Sequence, residues 1–249
     1  MKTFIKNNGF YFLGIIILLL IWEIVSLSYK EDIVFPALGQ IGTGLKEIIV
    51  NPKTYKVLGA TIIRLLASLG ISIVLSVLFA LLARKFGWFK QIVTPLIGVF
   101  KSTPVASFII IILVIVGHER SSMVISLLIM FPIMYEGFYN AFNCVNKEIR
   151  DEIKTISKFN FEIAKSIYVP LAMPFIITTL LQSISLGLKS LVMAELLTTP
   201  KYSIGSELLS LKTNFEMNKI MAWTLILVLI SIAFEIILNN VKKKAESIY

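Results

Sequence analysis

Six ionisable side chains interrupt long apolar runs of the sequence and are the residues best placed to do chemistry. They are Arg64, Lys101, Glu136, Lys189, Glu195 and Glu235. A charge inside hydrocarbon is costly unless it faces protein or water, so such residues mark either a solute pathway or a structural ion pair. We predict that Lys101, Glu136, Lys189 and Glu195 lie deep enough for either role. Lysines along a pathway would suit an anionic solute. Glu23 and Glu235 lie near the ends of apolar runs, where we expect them to reach the interface.

Two further pathway candidates, Ser102 and Pro104, follow Lys101 directly in an apolar run. A proline within a helix frees a backbone carbonyl. Membrane proteins tolerate this where a neighbouring helix or a water-filled cavity satisfies the freed group. Pro132 interrupts a later run in the same way.

Motifs for catalysis and metal binding are absent from the sequence. It has no G-x-x-x-x-G-K-[ST] phosphate loop and no H-E-x-x-H, and His118 and Cys144 are the only histidine and cysteine. One imidazole and one thiol cannot complete a typical zinc shell or a disulfide. We therefore expect no catalytic residue, cofactor or metal site in this chain, which disfavours a membrane-embedded enzyme.

A second candidate site is the polar segment 146–174, which carries nine charged residues, five positive and four negative. Ile149, Ile153 and Ile156 recur at helical spacing, so they predict a short amphipathic helix with one apolar face. Its mixed charge favours docking into a groove of a protein partner over binding to anionic lipid.

The elements that position these residues are predicted to be membrane-spanning helices. The chain is 57% hydrophobic, above the roughly 45–50% of soluble domains, so we expect an all-α polytopic membrane protein with one domain over 1–249. The six predicted spans are 9–28, 57–83, 92–116, 121–142, 175–197 and 222–238. The first could instead be a signal peptide, but its length and flanking Trp22 and Tyr29 favour a retained span.

Basic residues indicate the topology. Lysine and arginine number 13 in the N-terminus, the 84–90 turn, segment 146–174 and the C-terminus, against 8 in the opposing segments. Cytoplasmic segments carry the excess of basic residues, so we predict that both termini and segment 146–174 are cytoplasmic. The excess of basic residues in cytoplasmic segments then accounts for the net charge of +9, and nucleic-acid binding is disfavoured.

The sequence resembles the permease subunits of binding-protein-dependent ABC importers, in particular the sulfonate, taurine and nitrate branch, which also includes importers of the pyrimidine precursor of thiamine. The matching residues are Trp22-Glu23, Phe35-Pro36, Thr61, Arg64, Lys101-Ser102-Thr103-Pro104, Phe131-Pro132-Ile133 and Ala194-Glu195. In the family's loop motif, Ile167 and Pro170 match outright, while Asp151, Glu152, Ile153 and Ser157 stand at its Glu-Ala-Ala and Gly positions.

The resemblance implies a type I importer permease that works as a homodimer by alternating access in the cell membrane. A separate ATPase subunit, which holds ATP and magnesium, would receive the loop residues Ile149, Asp151, Glu152, Ile153, Ile156, Ser157, Ile167 and Pro170. An extracytoplasmic binding protein would deliver a small anionic or heterocyclic solute to segments 36–56 and 199–218. The alternative is an ion-coupled secondary transporter or channel that uses Glu136 and Glu195.

Overall fold

All the regular secondary structure that the computed structural model describes is helical, with no strand among residues 2–29, 35–145, 163 and 167–246. The described helices are α1 (Lys2–Tyr29), α2 (Leu38–Val50), α3 (Pro52–Lys85), α4 (Gly87–Ser102), α5 (Val105–Val116), α6 (His118–Phe142), α7 (Val169–Thr198), α8 (Ile204–Thr213) and α9 (Met217–Glu246). The predicted all-α class is confirmed.

Four of the described helices are long and apolar enough to cross a membrane. They are α3, α6, α7 and the Met217–Lys243 part of α9. The pair α4 and α5 would make a fifth crossing if it counts as one span, while the apolar part of α1, Leu13–Ser28, is shorter. The chain is therefore multi-pass, but the predicted number of six spans is not confirmed.

The third predicted span, 92–116, is broken into two helices. α4 ends at Ser102 and α5 begins at Val105, and the two helices are bent by 101°. Pro104 has no N–H to continue the helical ladder, and its ring excludes the preceding residue from the helical region. Thr103 is accordingly extended, with φ −74° and ψ 130°. The break falls at the proline that the sequence indicates as an interruption of this span.

Two compact units make up the chain, residues 1–56 with 207–227 and residues 57–206 with 228–249. In the first unit, α1 holds the segment before α2. Trp22 Nε1 donates to the Pro36 carbonyl at 3.1 Å, and Glu23 Oε2 accepts from the Leu38 N–H at 3.1 Å. Glu23 thus satisfies a free amide at the N-terminus of α2. From its place near the end of an apolar run, we had expected this side chain to reach the membrane interface instead.

The amphipathic stripe predicted within 36–56 forms α2, which buries Ile41, Gly44 and Ile48. Gly44 lies against the backbone of Asn218, where an added Cβ would come within 3.2 Å of the Asn218 carbonyl. Lys219 then bridges Glu47 at 3.0 Å and Glu216 at 2.5 Å. These contacts fix α2 to the start of α9 within the first unit.

In the second unit, α6 and α7 pack against each other closely. A Cβ on Gly137 would collide with Thr179, and one on Gly187 would collide with Met130. Small residues at such positions let two helix backbones approach, which is the main source of packing inside a bilayer. Ser126 Oγ also donates to the Gly187 carbonyl at 3.2 Å.

The helix α3 buries a row of small residues and contacts α6 through one of them. Ser68, Ser72 and Ser76 recur every four residues and are fully buried, and Ser76 Oγ donates to the Phe131 carbonyl at 3.2 Å. Farther along, a core of larger residues joins α3, α4 and α6. Its buried members are Ala80, Ala83, Val93, Ile97, Phe131, Met134, Tyr135 and Phe138.

Candidate functional site

A cavity of about 950 Å³ lies in the second unit. Residues of α6 and α7 form most of its described lining, with Lys101 from the end of α4 and Glu235 from α9. Its volume falls within the range of about 300–1,000 Å³ that small-molecule sites occupy. Lys101 lies in the last turn of α4, one residue before the helix ends at Ser102.

The predicted pathway residues Lys101 and Glu136 form an ion pair in the cavity, in which Lys101 Nζ donates to Glu136 Oε2. Each of the two side chains is 46% exposed. Water screens a pair of this exposure, so it contributes at most about 1 kcal/mol to stability. The pair is therefore placed to meet a solute and costs little to open.

The remaining polar lining is neutral apart from one carboxylate. The hydroxyl and amide residues of the lining are Asn140, Thr178, Thr179, Gln182 and Ser185. Glu235 also lines the cavity, and it has no ion-pair partner among the described residues. Apolar side chains such as Ile133 and Phe175 complete the wall. The cavity thus combines hydrogen-bonding groups, one aromatic ring and fixed charges.

Lys189 lies outside the described lining but on the same stripe of α7. Gln182, Leu186 and Lys189 follow one another at helical spacing, and all three are exposed. The first two line the cavity. Lys189 has no hydrogen-bond or ion-pair partner among the described residues, so it presents a free ammonium group one turn beyond the cavity lining.

Glu195 is in a different environment, because its side chain is fully buried. Its carboxylate accepts hydrogen bonds from Thr61 Oγ1 at 3.0 Å, Arg64 Nη1 at 3.1 Å and the Gly205 N–H at 3.3 Å. Thr61 and Arg64 lie on successive turns of α3, and Gly205 lies at the start of α8. We call Thr61, Arg64, Glu195 and Gly205 the glutamate cluster.

The cluster also fixes the turn between α7 and α8. Arg64 donates to the carbonyls of Lys201 at 2.8 Å and Tyr202 at 3.1 Å. Thr199 ends α7 in the left-handed conformation, with φ 45°, and donates its N–H to the Glu195 carbonyl. Because the guanidinium and carboxylate are paired and further hydrogen-bonded, the contacts favour a structural role for Glu195 over a pathway role.

His118 also has a structural place in this region. It begins α6, and its Nδ1 lies 2.8 Å from the Thr198 carbonyl, which can only accept, so Nδ1 carries the proton. Glu119, the next residue, accepts from the Lys201 N–H at 3.0 Å. Together they tie the start of α6 to the end of α7.

The structure brings together only some of the predicted site residues. Lys101 and Glu136 share the cavity, whereas Ser102 and Pro104 stand at the helix break beside it and Lys189 and Glu195 lie outside the described lining. Ile167 and Pro170 lead into and begin α7. The other predicted docking residues, Ile149, Asp151, Glu152, Ile153, Ile156 and Ser157, fall outside the described residues.

Sequence reasoning missed the cavity position of Glu235 and the cluster role of Gly205. Glu235 is the only charged residue in the apolar run 222–238, which was a signal for a position that faces protein or water. Gly205 has a steric role, since an added Cβ would collide with Glu195 and Leu196. That role is visible only once α7 and α8 are packed together.

A family model described as "Binding-protein-dependent transport system inner membrane component" matches residues 39–246. The chain belongs to this family. The matched range includes the cavity lining and the glutamate cluster. The protein is thus a membrane-embedded permease component of an ABC importer. Such a component is not itself catalytic.

The fold of the permease is similar to that of a known transporter. A chain of the MetNI methionine ABC transporter, solved in inward-facing conformations, aligns with a TM-score of 0.57 at 13% identity, over 77% of this chain and 93% of that chain. At this identity the likeness concerns the fold alone. No curated protein sequence is significantly similar to the permease.

Proposed function

We propose that two copies of this permease form a translocation pathway for a small polar solute, and that a partner ATPase drives the pathway between inward-facing and outward-facing states. The match to the importer family over 39–246 carries the proposal. The cavity between α6 and α7, with its hydrogen-bonding lining, supports a solute site on that pathway. The solute classes that the sequence predicts are a small anion and a heterocycle.

Energy would enter through segment 146–174, whose last residues form the start of α7. Its predicted apolar face, Ile149, Ile153 and Ile156, would dock in a groove of an ATPase subunit that binds ATP and magnesium. Because α7 contributes much of the cavity lining, a tilt of the docked segment would move one wall of the cavity. This arrangement supports mechanical coupling between ATP hydrolysis and solute access.

The proposed assembly has three kinds of partner. A second permease copy completes the pathway, two ATPase subunits lie on the cytoplasmic side, and an extracytoplasmic binding protein delivers the solute. The family description supports the binding protein. The distribution of basic residues supports cytoplasmic termini and a cytoplasmic 146–174 segment.

The first test is purification of the tagged permease from its native membrane in mild detergent, followed by native mass spectrometry. We expect a complex that contains two permeases and two copies of an ATPase. A permease that purifies alone, under conditions that preserve another ABC importer of the same membrane, would contradict the proposal and favour an ion-coupled transporter.

The second test addresses the docking segment. We expect the double change Ile153→Asp with Ile156→Asp to abolish ATP-dependent uptake and to release the ATPase, because charge replaces the predicted apolar face. The control, Ile153→Leu with Ile156→Leu, keeps that face and should retain both properties. Unchanged uptake and assembly in the aspartate variant would refute docking through these residues.

A further inference from the structure

We propose that the cavity selects a solute that carries a cationic amine or a neutral heterocyclic ring and that it repels a free anion. Glu235 is the carboxylate that contacts the cationic group. This assignment of solute class rests on the proposed function, since it takes the cavity to be part of the import pathway. It favours a nitrogen heterocycle or another amine-bearing solute over a sulfonate or nitrate.

The charges of the described lining carry the argument. Lys101 is its one cation, and Glu136 and Glu235 are its anions. Glu136 pairs with Lys101, so the charge of the lysine is balanced within the lining, and an anion that opened this pair would meet the freed Glu136 carboxylate. The lining then carries one net negative charge, and Glu235 has no ion-pair partner among the described residues.

The setting of that charge determines how strongly it acts. Glu235 is exposed, so water screens part of its field, and one unpaired carboxylate on an open lining still raises the local concentration of cations. The neutral lining supplies hydroxyl and amide groups from Asn140, Gln182 and Ser185, together with the Phe175 ring. These groups suit the hydrogen-bonding edge and the flat face of a heterocyclic ring.

Lys189 is the charge that opposes this preference. It lies on the same stripe of α7 but one turn beyond Leu186, outside the described lining. Its field in the cavity is weaker than that of a residue on the wall, because water and distance both screen it. A Lys189→Gln variant therefore measures how far this ammonium group offsets Glu235.

The experiment measures the sign of the potential without knowledge of the solute. Ser185→Cys places a thiol on the cavity wall with little change in volume, in a Cys144→Ala background that removes the only native thiol. The assembled importer is then treated with two thiosulfonate reagents of similar size, one carrying a trimethylammonium group and one a sulfonate. The ratio of their rate constants, divided by the same ratio for free 2-mercaptoethanol, reports the local potential.

We expect the normalised ratio at Ser185→Cys to favour the cationic reagent by about three- to tenfold, as one unit charge at partial screening would produce. Adding Glu235→Gln should bring the ratio close to one, and adding Lys189→Gln should raise it slightly. Gln91→Cys, an exposed position beside Lys90 outside the described lining, is the control, and its ratio should not respond to Glu235→Gln.

Two results would overturn the proposal. One is a normalised ratio at or below one at Ser185→Cys, and the other is no reaction at either Ser185→Cys or Gln182→Cys. Each variant is scored only in complexes that retain the ATPase in normal stoichiometry. A permease that lacks an ATPase partner would refute the proposed function instead, so the two failures are distinguishable.

Discussion

At the scale of single residues, two glutamates with similar sequence surroundings have opposite environments. Glu136 is half exposed and shares one ion pair with Lys101, whereas Glu195 is fully buried and accepts from a hydroxyl, a guanidinium and a backbone amide. The difference follows from their partners. A buried charge is tolerated when all its hydrogen-bonding positions are satisfied, and a screened one needs no such enclosure.

Removing Arg64 should destabilise the permease strongly. Arg64→Ala leaves the Glu195 carboxylate buried without its counter-charge, which costs about 3–5 kcal/mol. We expect a lower midpoint of thermal unfolding in detergent, monitored by tryptophan fluorescence. Adding Glu195→Gln removes the stranded charge and should recover part of the loss. A midpoint for Arg64→Ala equal to that of the native protein would show that the cluster does not support the fold.

Lys101→Met should behave differently, because its ion pair lies in a partly hydrated cavity. The loss of stability should be at most about 1 kcal/mol, while uptake by reconstituted importer should change several-fold, because the unpaired Glu136 adds a second net negative charge to the cavity lining. Lys101→Arg keeps the charge and is the matched control. Normal uptake by Lys101→Met, with assembly intact, would remove Lys101 from the pathway.

At the scale of elements, the contact between α6 and α7 depends on glycines at two positions. Gly137 faces Thr179 and Gly187 faces Met130, and in each case an added Cβ would overlap the facing side chain. Thr179 is short and branched at Cβ, whereas Met130 is long and can move. The two glycines therefore differ in their tolerance to substitution.

Gly137→Ala should lower the thermal midpoint by an amount that corresponds to about 1–3 kcal/mol, the typical cost of overpacking. Gly98→Ala is the matched control, because no atom would lie within 4 Å of the added Cβ and alanine favours the helix. The double variant Gly137→Ala with Thr179→Ala should regain much of the loss. Equal midpoints for Gly137→Ala and Gly98→Ala would contradict close packing at this contact.

The sequence predicted the main helices but not the 101° bend between α4 and α5. Periodicity and apolar length locate a helix, and Pro104 indicates where it is weak. The direction and size of a bend depend on what each half packs against, which is a tertiary property. For the same reason the partners of Glu195 were not predictable, since Thr61 and Arg64 precede it by 134 and 131 positions.

At the scale of the whole molecule, the family match and the all-helical fold define a permease component of an importer. Composition and the spacing of apolar runs were sufficient to predict a polytopic membrane protein, and the importer class was predicted from the resemblance of its motifs to that family. The solute was less predictable, because the pairing of Lys101 with Glu136 and the cavity position of Glu235 arise from packing. Charge counts along a sequence cannot show which ions neutralise one another.

The topology can be tested through Cys144, which lies just beyond α6 and before segment 146–174. Burial raises the pKa of its thiol, and only the thiolate reacts readily. Alkylation should therefore be slower than that of free cysteine at neutral pH and should accelerate as pH rises through the elevated pKa.

With a membrane-impermeant maleimide, we expect labelling of Cys144 in inside-out vesicles and none in right-side-out vesicles. Cys144→Ala gives the background. Labelling of right-side-out vesicles would reverse the orientation that the basic residues indicate.

The break at Thr103–Pro104 also bears on how the chain enters the membrane during synthesis. α4 has 16 residues and α5 has 12, which at 1.5 Å per residue gives about 24 Å and 18 Å, short of the roughly 30 Å of hydrocarbon. Neither helix alone is a full-length insertion signal, although α3 and α6 on either side are. We therefore expect α4 and α5 to become stably inserted only once α6, which both contact, has emerged, so that this part of the permease inserts as a group and not helix by helix.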